Sequence, residues 1–476
     1  MKKKFGAVIM AGAMACTLIG SAVAATGCTT KIPDFVMPEG GFDTEAEVEI
    51  KFYHTMGQNL RPILQNYIAE FNTLYPNIKV IEDQIGGYED VRDQVVTEIN
   101  SGAQPNLAYC YPDHVAMFNQ SGAVLPLNGF LADGEYKDMT LTRVDKTEES
   151  LGFTQAQQDD FIQGYWKEGF QFGDGTNMYT LPFAKSTEIL FYNKTFFEKH
   201  NLSVPTTWDE MEEVCAAIKA IDPNCTPLGY DSEANWFITM CEQLGSPYTS
   251  ADGKHFLFDN QTNRDFVTRF SGWYEKGYVT TKELSGVSYT SNLFVAQTSY
   301  MSIGSSAGAA KQCPAEKDGS YPFKVGIASI PQVHPDNPKV ISQGPSICIF
   351  KQDNPQEVLA SWLLAKFLTT NIGFQAEFAS AQGYVPVIKS VENHKIYKEK
   401  LEEANDPDKN PANLASLAIN FCLEQEEAYY TSPAFVGSAK ARDQVGYLMQ
   451  AAFNKSKSVE KAFTDALEEC VYHFGE

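Results

Sequence analysis

The side chains of this chain best equipped for chemistry are its carboxylates and thiols. Sixty Asp and Glu residues stand against 37 Lys and Arg, so composition leaves room for a pair of acids working on a glycosidic bond, as in a secreted glycoside hydrolase. The thiols point elsewhere. Eight cysteines follow Cys28, and none has the C-x-x-C or ribbon spacing of a zinc or redox site. Cys215, Cys241, Cys348 and Cys422 lie in apolar stretches, where a buried free thiol is the expected state. Cys215 and Cys225 bracket a predicted helix end and are placed to pair, although spacing alone does not set connectivity. H-E-x-x-H and Walker A patterns are missing, and no Cys or His sits in a nucleophile's setting. His54, near the end of the first predicted strand, is expected to be satisfied by its neighbours. No metal or cofactor is expected.

The elements that must position any site alternate in type. Residues 48–53 read as a strand, 61–75 as a helix ended by Pro76, and 78–81 as a β-branched strand. Residues 88–100 read as a second helix and 107–111 as a third strand. The alternation resumes with strands at 189–192, 323–328 and 341–350 and helices at 207–220 and 356–369. In Pro205-Thr206-Thr207-Trp208-Asp209-Glu210 a Thr cap is followed three residues on by Glu210, the pattern of a capping box. Strand and helix at this pitch predict an α/β fold with a mainly parallel sheet covered by helices. Ligands of such sheets sit beyond the strand C-termini, here after Tyr53, Ile85, Tyr111 and Ile303.

The address is written at the N-terminus. Lys2, Lys3 and Lys4 precede an uncharged apolar stretch from Phe5 to Ala25, the layout of a secretory signal. It ends at Thr26-Gly27-Cys28, which resembles the lipobox of bacterial lipoproteins with Ala25 where Leu is usual. Residues 1–27 are therefore expected to be removed and Cys28 lipidated, leaving the protein on the outer face of the cytoplasmic membrane. Ala22-Val23-Ala24 offers ordinary signal-peptidase cleavage as the alternative, and an uncleaved anchor is the remaining one. Residues 28–45, rich in Pro, Gly and acids, read as a flexible tether. Beyond them more than 400 residues remain, enough for two cored domains. The formal charge of −23 becomes about −26 without the three signal lysines, which argues against nucleic acid and anionic lipid surfaces as partners.

An ordered set of short patterns then carries a family resemblance. Ile50-Lys51-Phe52-Tyr53-His54, Phe71-Asn72 and Tyr75-Pro76-Asn77-Ile78-Lys79-Val80 open it. Leu181-Pro182-Phe183, Leu190-Phe191-Tyr192-Asn193-Lys194, Phe196-Phe197 and Thr207-Trp208-Asp209-Glu210 continue it. Phe294-Val295-Ala296-Gln297, Met301, Ala365-Lys366-Phe367-Leu368 and Gly383-Tyr384-Val385-Pro386-Val387 complete it. From about Val48 to the C-terminus the chain resembles the family-1 extracellular solute-binding proteins of ABC importers, whose members bind maltose, other sugars and glycerol-3-phosphate. The resemblance implies a type II periplasmic-binding-protein-like fold, similar to maltose-binding protein, with two discontinuous α/β lobes joined by hinge segments. It implies one lobe from residues 46–184 and 350–428 and another from 185–349 and 429–476, with crossings near 183–188, 344–349 and Tyr430. Function would be capture of a small ligand between lobes closing about the hinge and delivery to an ABC permease. Catalysis is not expected, nor is a partner copy.

Within the family the glycerol-3-phosphate-binding branch looks most similar, through Gly86-Gly87-Tyr88-Glu89, Lys185-Ser186-Thr187, Gly304-Ser305-Ser306, Gly344-Pro345-Ser346, Gly383-Tyr384 and residues 433–442. Carried over residue by residue, the resemblance makes Tyr88, Asp113, Ser186, Trp236, Ser305, Ser306, Gly344, Tyr384 and Arg442 ligand contacts. Asp113 stands where the branch has Glu. In this reading Arg442 forks onto a phosphate and the serines with nearby N–H groups cradle it. Asp113 accepts ligand hydroxyls, and Tyr88, Trp236 and Tyr384 form aromatic walls. The expected ligand is glycerol-3-phosphate or a glycerophosphodiester, with a neutral mono- or oligosaccharide as the alternative.

Overall fold

The structure, a computed structural model, describes residues 32–250, 253–404 and 413–474, so the signal and Cys28 lie outside it. β1 (Val48–His54) buries Val48, Ile50 and Phe52 on one face. Helix Arg61–Leu74 follows, with Pro62 in its first turn, where a missing N–H is no loss, and Leu64, Ile68 and Phe71 on the buried side. β2 (Ile78–Gln84) and β3 (Leu107–Cys110) both pair with β1 in parallel, Val48 opposite Ile78 and Phe52 opposite Leu107. Helix Tyr88–Ser101 links them; the Asp90 carboxylate accepts the Gly87 N–H at 2.7 Å and closes its first turn.

β4 (Thr140–Thr142) and β5 (Glu148–Ser150) form a small hairpin, and β6 (Leu181–Pro182) returns to the first sheet's edge. The chain then changes sheets. β7 (Ser186–Asn193) is joined in the second sheet by β8 (Leu228–Tyr230), β9 (Val279–Thr281), β10 (Met301–Ser305) and β11 (Val325–Ala328). β12 (Val340–Gln343) stays in that sheet, β13 (Ser346–Ile349) crosses back, and β14 (Tyr429–Tyr430) pairs with β12. The resulting orders are β2-β1-β3-β13-β6 and β14-β12-β7-β10-β8-β9, with β11 also on β7. Each sheet carries its own aromatic packing: Phe52, Phe71 and Trp362 on one side, Trp208, Trp236, Phe270 and Trp273 on the other.

One predicted strand, 341–350, is two. Gly344 has φ +92° and Pro345 has no N–H, so no single ladder runs through them. This break sends the chain from one sheet to the other. It also meets the other connector, residues 183–185: a Cβ on Gly344 would lie 2.3 Å from the Ala184 carbonyl oxygen and 2.7 Å from Lys185 Cα. On its other side Lys185 exchanges backbone hydrogen bonds with Val385.

Two predicted segments sit differently from expectation. Residues 32–45, assigned to a flexible tether, lie on the first lobe: Phe42 is buried against Tyr75, Phe35 touches Phe130, and the Lys351 ammonium reaches Asp34 at 2.7 Å. Within 350–428, helix Pro355–Thr370 lies on β1 and β13, while helix Ile372–Gln382 touches both helix Arg61–Leu74 and the 3-10 turn Ser306–Lys311. Helix Leu414–Glu424 packs on that turn and on β11. Cys215 and Cys225 are free thiols, as are the other six described cysteines, all buried.

Candidate functional site

The crossing connectors form one wall of a cavity between the sheets, narrow and partly open to solvent. Tyr111, Pro112 and Asp113 reach it from beyond the end of β3, where an α/β sheet is expected to present its ligand. Gln343 and Gly344 reach it from the end of β12, and Thr431, Ser432 and Arg442 from the last part of the chain. Of the nine predicted contacts, Asp113, Gly344 and Arg442 thus line one space.

Two cations border this cavity and are held differently. Lys185, 1% exposed, donates to the Glu168 carboxylate and to the Gly344 carbonyl at 3.2 Å. The second Glu168 oxygen accepts the Ser342 hydroxyl at 2.7 Å. Lys185 is therefore charge-matched by a buried acid and ties the two connectors together. Arg442, in the first turns of helix Ser438–Phe453, donates from Nη2 to a neutral amide, Asn235 Oδ1. The Asn235 Nδ2 donates in turn to Glu188 Oε1 at 2.8 Å, and the Tyr230 hydroxyl donates to Glu188 Oε2 at 2.6 Å. Burial pushes the Glu188 carboxyl up to about 7, against the pull of Tyr230, Asn235 and Arg442.

Other polar groups complete the lining. Gln171 donates from Nε2 to the Thr431 hydroxyl, while Gln171 Oε1 and Ser432 Oγ are buried with no partner among the described residues. Such groups are costly unless something bonds them. Next to Asp113, the His114 ring lies 4.0 Å from the carboxylate, and burial lowers its pKa. Across the cleft Arg92 of helix Tyr88–Ser101 approaches Asp443 at 3.6 Å, so an ion pair spans the lobes beside Arg442.

The tyrosines form a wall adjoining the cavity. Tyr88 stacks on Tyr111 at 4.6 Å, and its hydroxyl lies 3.5 Å from that of Tyr384. Tyr384 rests on Phe378, and burial raises the pKa of both Tyr88 and Tyr384. The structure therefore brings Tyr88 and Tyr384 together and joins them to the cavity through Tyr111.

The remaining predicted contacts lie apart from the lining. Trp236 is fully buried in the second core, stacked on Tyr230 at 4.7 Å and packed on Phe270 at 4.4 Å. Ser186 is paired in the sheet opposite Gln343. Ser305 Oγ accepts the Ala307 N–H at 3.2 Å, and Ser306 Oγ accepts the Thr187 N–H at 3.3 Å. Gly304-Ser305-Ser306-Ala307-Gly308 also has the G-x-S-x-G spacing of a hydrolase nucleophile turn. Ser306 is fully buried and bonded to backbone, unlike an exposed nucleophile. His54 is satisfied locally, as expected: Nε2 meets Glu82 at 2.8 Å and Nδ1 accepts the Met56 N–H at 3.1 Å. Glu168, Gln171, Asn235 and Glu188 are not among the predicted contacts, and Lys185 enters only within the Lys185-Ser186-Thr187 pattern. Asn235 carries a local signal, as the third residue of a helix whose first N–H groups Ser232 caps.

Comparison with known proteins fits this architecture. The family model for bacterial extracellular solute-binding proteins matches residues 66–405. The sn-glycerol-3-phosphate-binding periplasmic protein UgpB of Escherichia coli K12 is 24% identical over 193 residues, 40% of this chain and 39% of that protein's length. Its counterpart from Salmonella typhimurium is 24% identical over 190 residues, 39% of this chain and 38% of the relative. Among solved structures, UgpB from Mycobacterium tuberculosis in complex with glycerophosphocholine superposes with a TM-score of 0.70 at 17% identity, covering 89% of this chain and 98% of that one. The GacH receptor of Streptomyces glaucescens, solved unliganded and with acarbose, gives a TM-score of 0.67 at 14% identity, covering 90% and 99%. These structures share the two-lobe fold.

Proposed function

The chain belongs to the bacterial extracellular solute-binding proteins, and on that premise we propose that it captures glycerol-3-phosphate or a glycerophosphodiester between its lobes. In this reading it hands the ligand to an ABC permease and returns empty, without turnover. It works as a monomer on the outer face of the cytoplasmic membrane, held by a lipid on Cys28. The observation that carries the reading is Arg442: a guanidinium at the cavity, hydrogen-bonded to a neutral amide rather than matched by a carboxylate as Lys185 is. A phosphate gains charge-assisted bonds there, and Asp113, on the same cavity, accepts glycerol hydroxyls. Tyr88 and Tyr384 wall one side, and Gly344 lets the connectors close beneath. Ser186, Ser305 and Ser306 support this floor.

The tyrosine wall favours a second ligand class, a neutral mono- or oligosaccharide whose rings stack on Tyr88, Tyr111 and Tyr384. Titration calorimetry on the protein from residue 32 onward, against glycerol-3-phosphate, glycerophosphocholine and maltose, separates the two. Binding of the phosphates, lost in Arg442→Ala, supports the anion reading. Binding of sugars alone overturns it and keeps the receptor role. Steady release of product from any of the three overturns the receptor role itself.

A further inference from the structure

Glu188 does not line the cavity, yet it is the innermost link of the chain that ends on Arg442. Its side chain is 1% exposed on β7, under the cleft. A carboxylate so deep is costly without donors, and it has two, Tyr230 at 2.6 Å and Asn235 at 2.8 Å. These bonds settle which way the Asn235 amide faces. Its NH₂ must donate to the carboxylate, so its carbonyl oxygen is left for the guanidinium of Arg442. Reversing the amide would set oxygen against carboxylate and NH₂ against guanidinium, two repulsive contacts. Glu188 thereby dictates the orientation of the group that orients Arg442. Trp236, one residue further along the same helix, stacks on Tyr230 and holds both donors in register.

We propose that Glu188, acting through Asn235, is a positioning residue for Arg442, and that capture of an anion at Arg442 is coupled to proton uptake by Glu188. The proposal rests on the reading that the ligand presents an anionic group to Arg442. The positive charge of Arg442 helps keep Glu188 ionised. An anion set against the guanidinium cancels part of that field, and Glu188 then binds a proton more readily. Linkage makes the converse hold by the same factor: a protonated Glu188 strengthens the grip on the anion. Burial, which brings Glu188 up to about 7, places this coupling between pH 6 and pH 8.

The charged and titratable groups around this chain include Tyr230 from β8 and Asp231 just after it, Glu242 from helix Glu233–Leu244, Tyr430 from β14 and Arg442 with Asp443 from helix Ser438–Phe453. Across the cleft stand Glu89, Arg92, Asp113 and His114. Among them His114, the imidazole beside Asp113, is the rival proton acceptor.

Glycerophosphocholine is the probe of choice, because its phosphodiester charge does not titrate in this range. In the wild-type protein its Kd is expected to rise about tenfold from pH 6 to pH 8, within the usual span of coupling factors. Calorimetry at pH 7 in buffers of different ionisation enthalpy should show net proton uptake, a readout that needs no variant. Glu188→Gln keeps the side chain's shape and copies the protonated acid, its carbonyl accepting from Asn235 and its NH₂ donating to the Tyr230 oxygen; in it both the pH dependence and the uptake should vanish, while in His114→Asn both should persist. Binding that is indifferent to pH in the wild-type protein overturns the coupling and leaves the anion reading intact. Dependence that survives in Glu188→Gln but disappears in His114→Asn gives the proton to His114 and overturns the role of Glu188. Failure of both glycerophosphocholine and glycerol-3-phosphate to bind at any pH overturns the anion reading, and the coupling falls with it.

Discussion

Replacing Gly344 by alanine tests whether the crossing connectors set both stability and closure. The residue has φ +92°, where an L side chain is strained by roughly 1–2 kcal/mol. The new Cβ would also stand 2.3 Å from the Ala184 carbonyl oxygen and 2.7 Å from Lys185 Cα. Both are backbone atoms, so no rotamer change relieves the contact and the connectors must part. Overpacking of this kind costs about 1–3 kcal/mol, for a total of roughly 2–5 kcal/mol. Unfolding entropy of about 2.1 cal/mol/K per residue gives on the order of 0.9 kcal/mol/K for a body of this size, so Tm should fall by about 2–5 °C. Lys185 lines the cavity and its ammonium bonds the Gly344 carbonyl, so ligand affinity should fall as well. Two control variants divide the effect in thermal melts. Gly173→Ala has φ +80° with nothing near its Cβ and should show the backbone strain alone. Gly308→Ala has neither burden and should melt like wild type. If Gly344→Ala melts no lower than Gly173→Ala and binds ligand unchanged, the connectors have slack and the argument from their contact is wrong.

Three further outcomes follow from buried and bridging charges. Lys185→Met leaves Glu168 buried beside the Ser342 hydroxyl without its cation and should lose about 3–5 kcal/mol in urea unfolding; adding Glu168→Leu should recover most of it, and equal losses in single and double variants would refute the pairing. Arg92→Ala removes the 3.6 Å approach to Asp443 across the cleft; partly exposed pairs contribute up to about 1 kcal/mol, so affinity should drop no more than about fivefold, and less at high salt, with the ligand-free Tm unchanged. For Glu188, whose pKa is raised to about 7 in the folded state by burial, the stabilisation of the protonated form is complete below the unfolded value and lost as pH climbs through 7. That loss is on the order of 3 kcal/mol from 1.36 kcal/mol per unit, so Glu188→Gln should flatten the fall in stability between pH 5 and pH 8, and parallel wild-type and variant curves would contradict it.

Local signals in the sequence reported local structure well. The capping box before Trp208 is formed as spelled: Thr207 Oγ accepts the Glu210 N–H at 3.2 Å, and the Glu210 carboxylate accepts the Thr207 N–H at 3.1 Å. Apolar spacing marked the helices at 61–74, 88–101, 208–221 and 355–370, and β-branched runs the strands at 48–54, 78–84 and 107–110, while helices Glu233–Leu244 and Ser438–Phe453 and strands Leu228–Tyr230 and Met301–Ser305 had no such reading. The Gly-Pro at 344–345 was as plain a signal as any, since it cannot continue a strand, yet apolar residues on either side drew one strand across it. What sequence could not convey is which side of an element faces the cleft. Trp236 and Asn235 are neighbours on helix Glu233–Leu244, about 100° apart around its axis, and that turn separates a core aromatic from the amide that holds Arg442. Likewise Arg442 and Glu188 are distant in sequence, and only the packing of the last helices links them, through Asn235; no short motif marks Glu168 as the partner of Lys185. The buried charges that govern this site come from long-range topology, which no short motif encodes. The two-lobe plan could therefore be read early, whereas the polar chain from Glu188 to Arg442 became visible only once both sheets were in place.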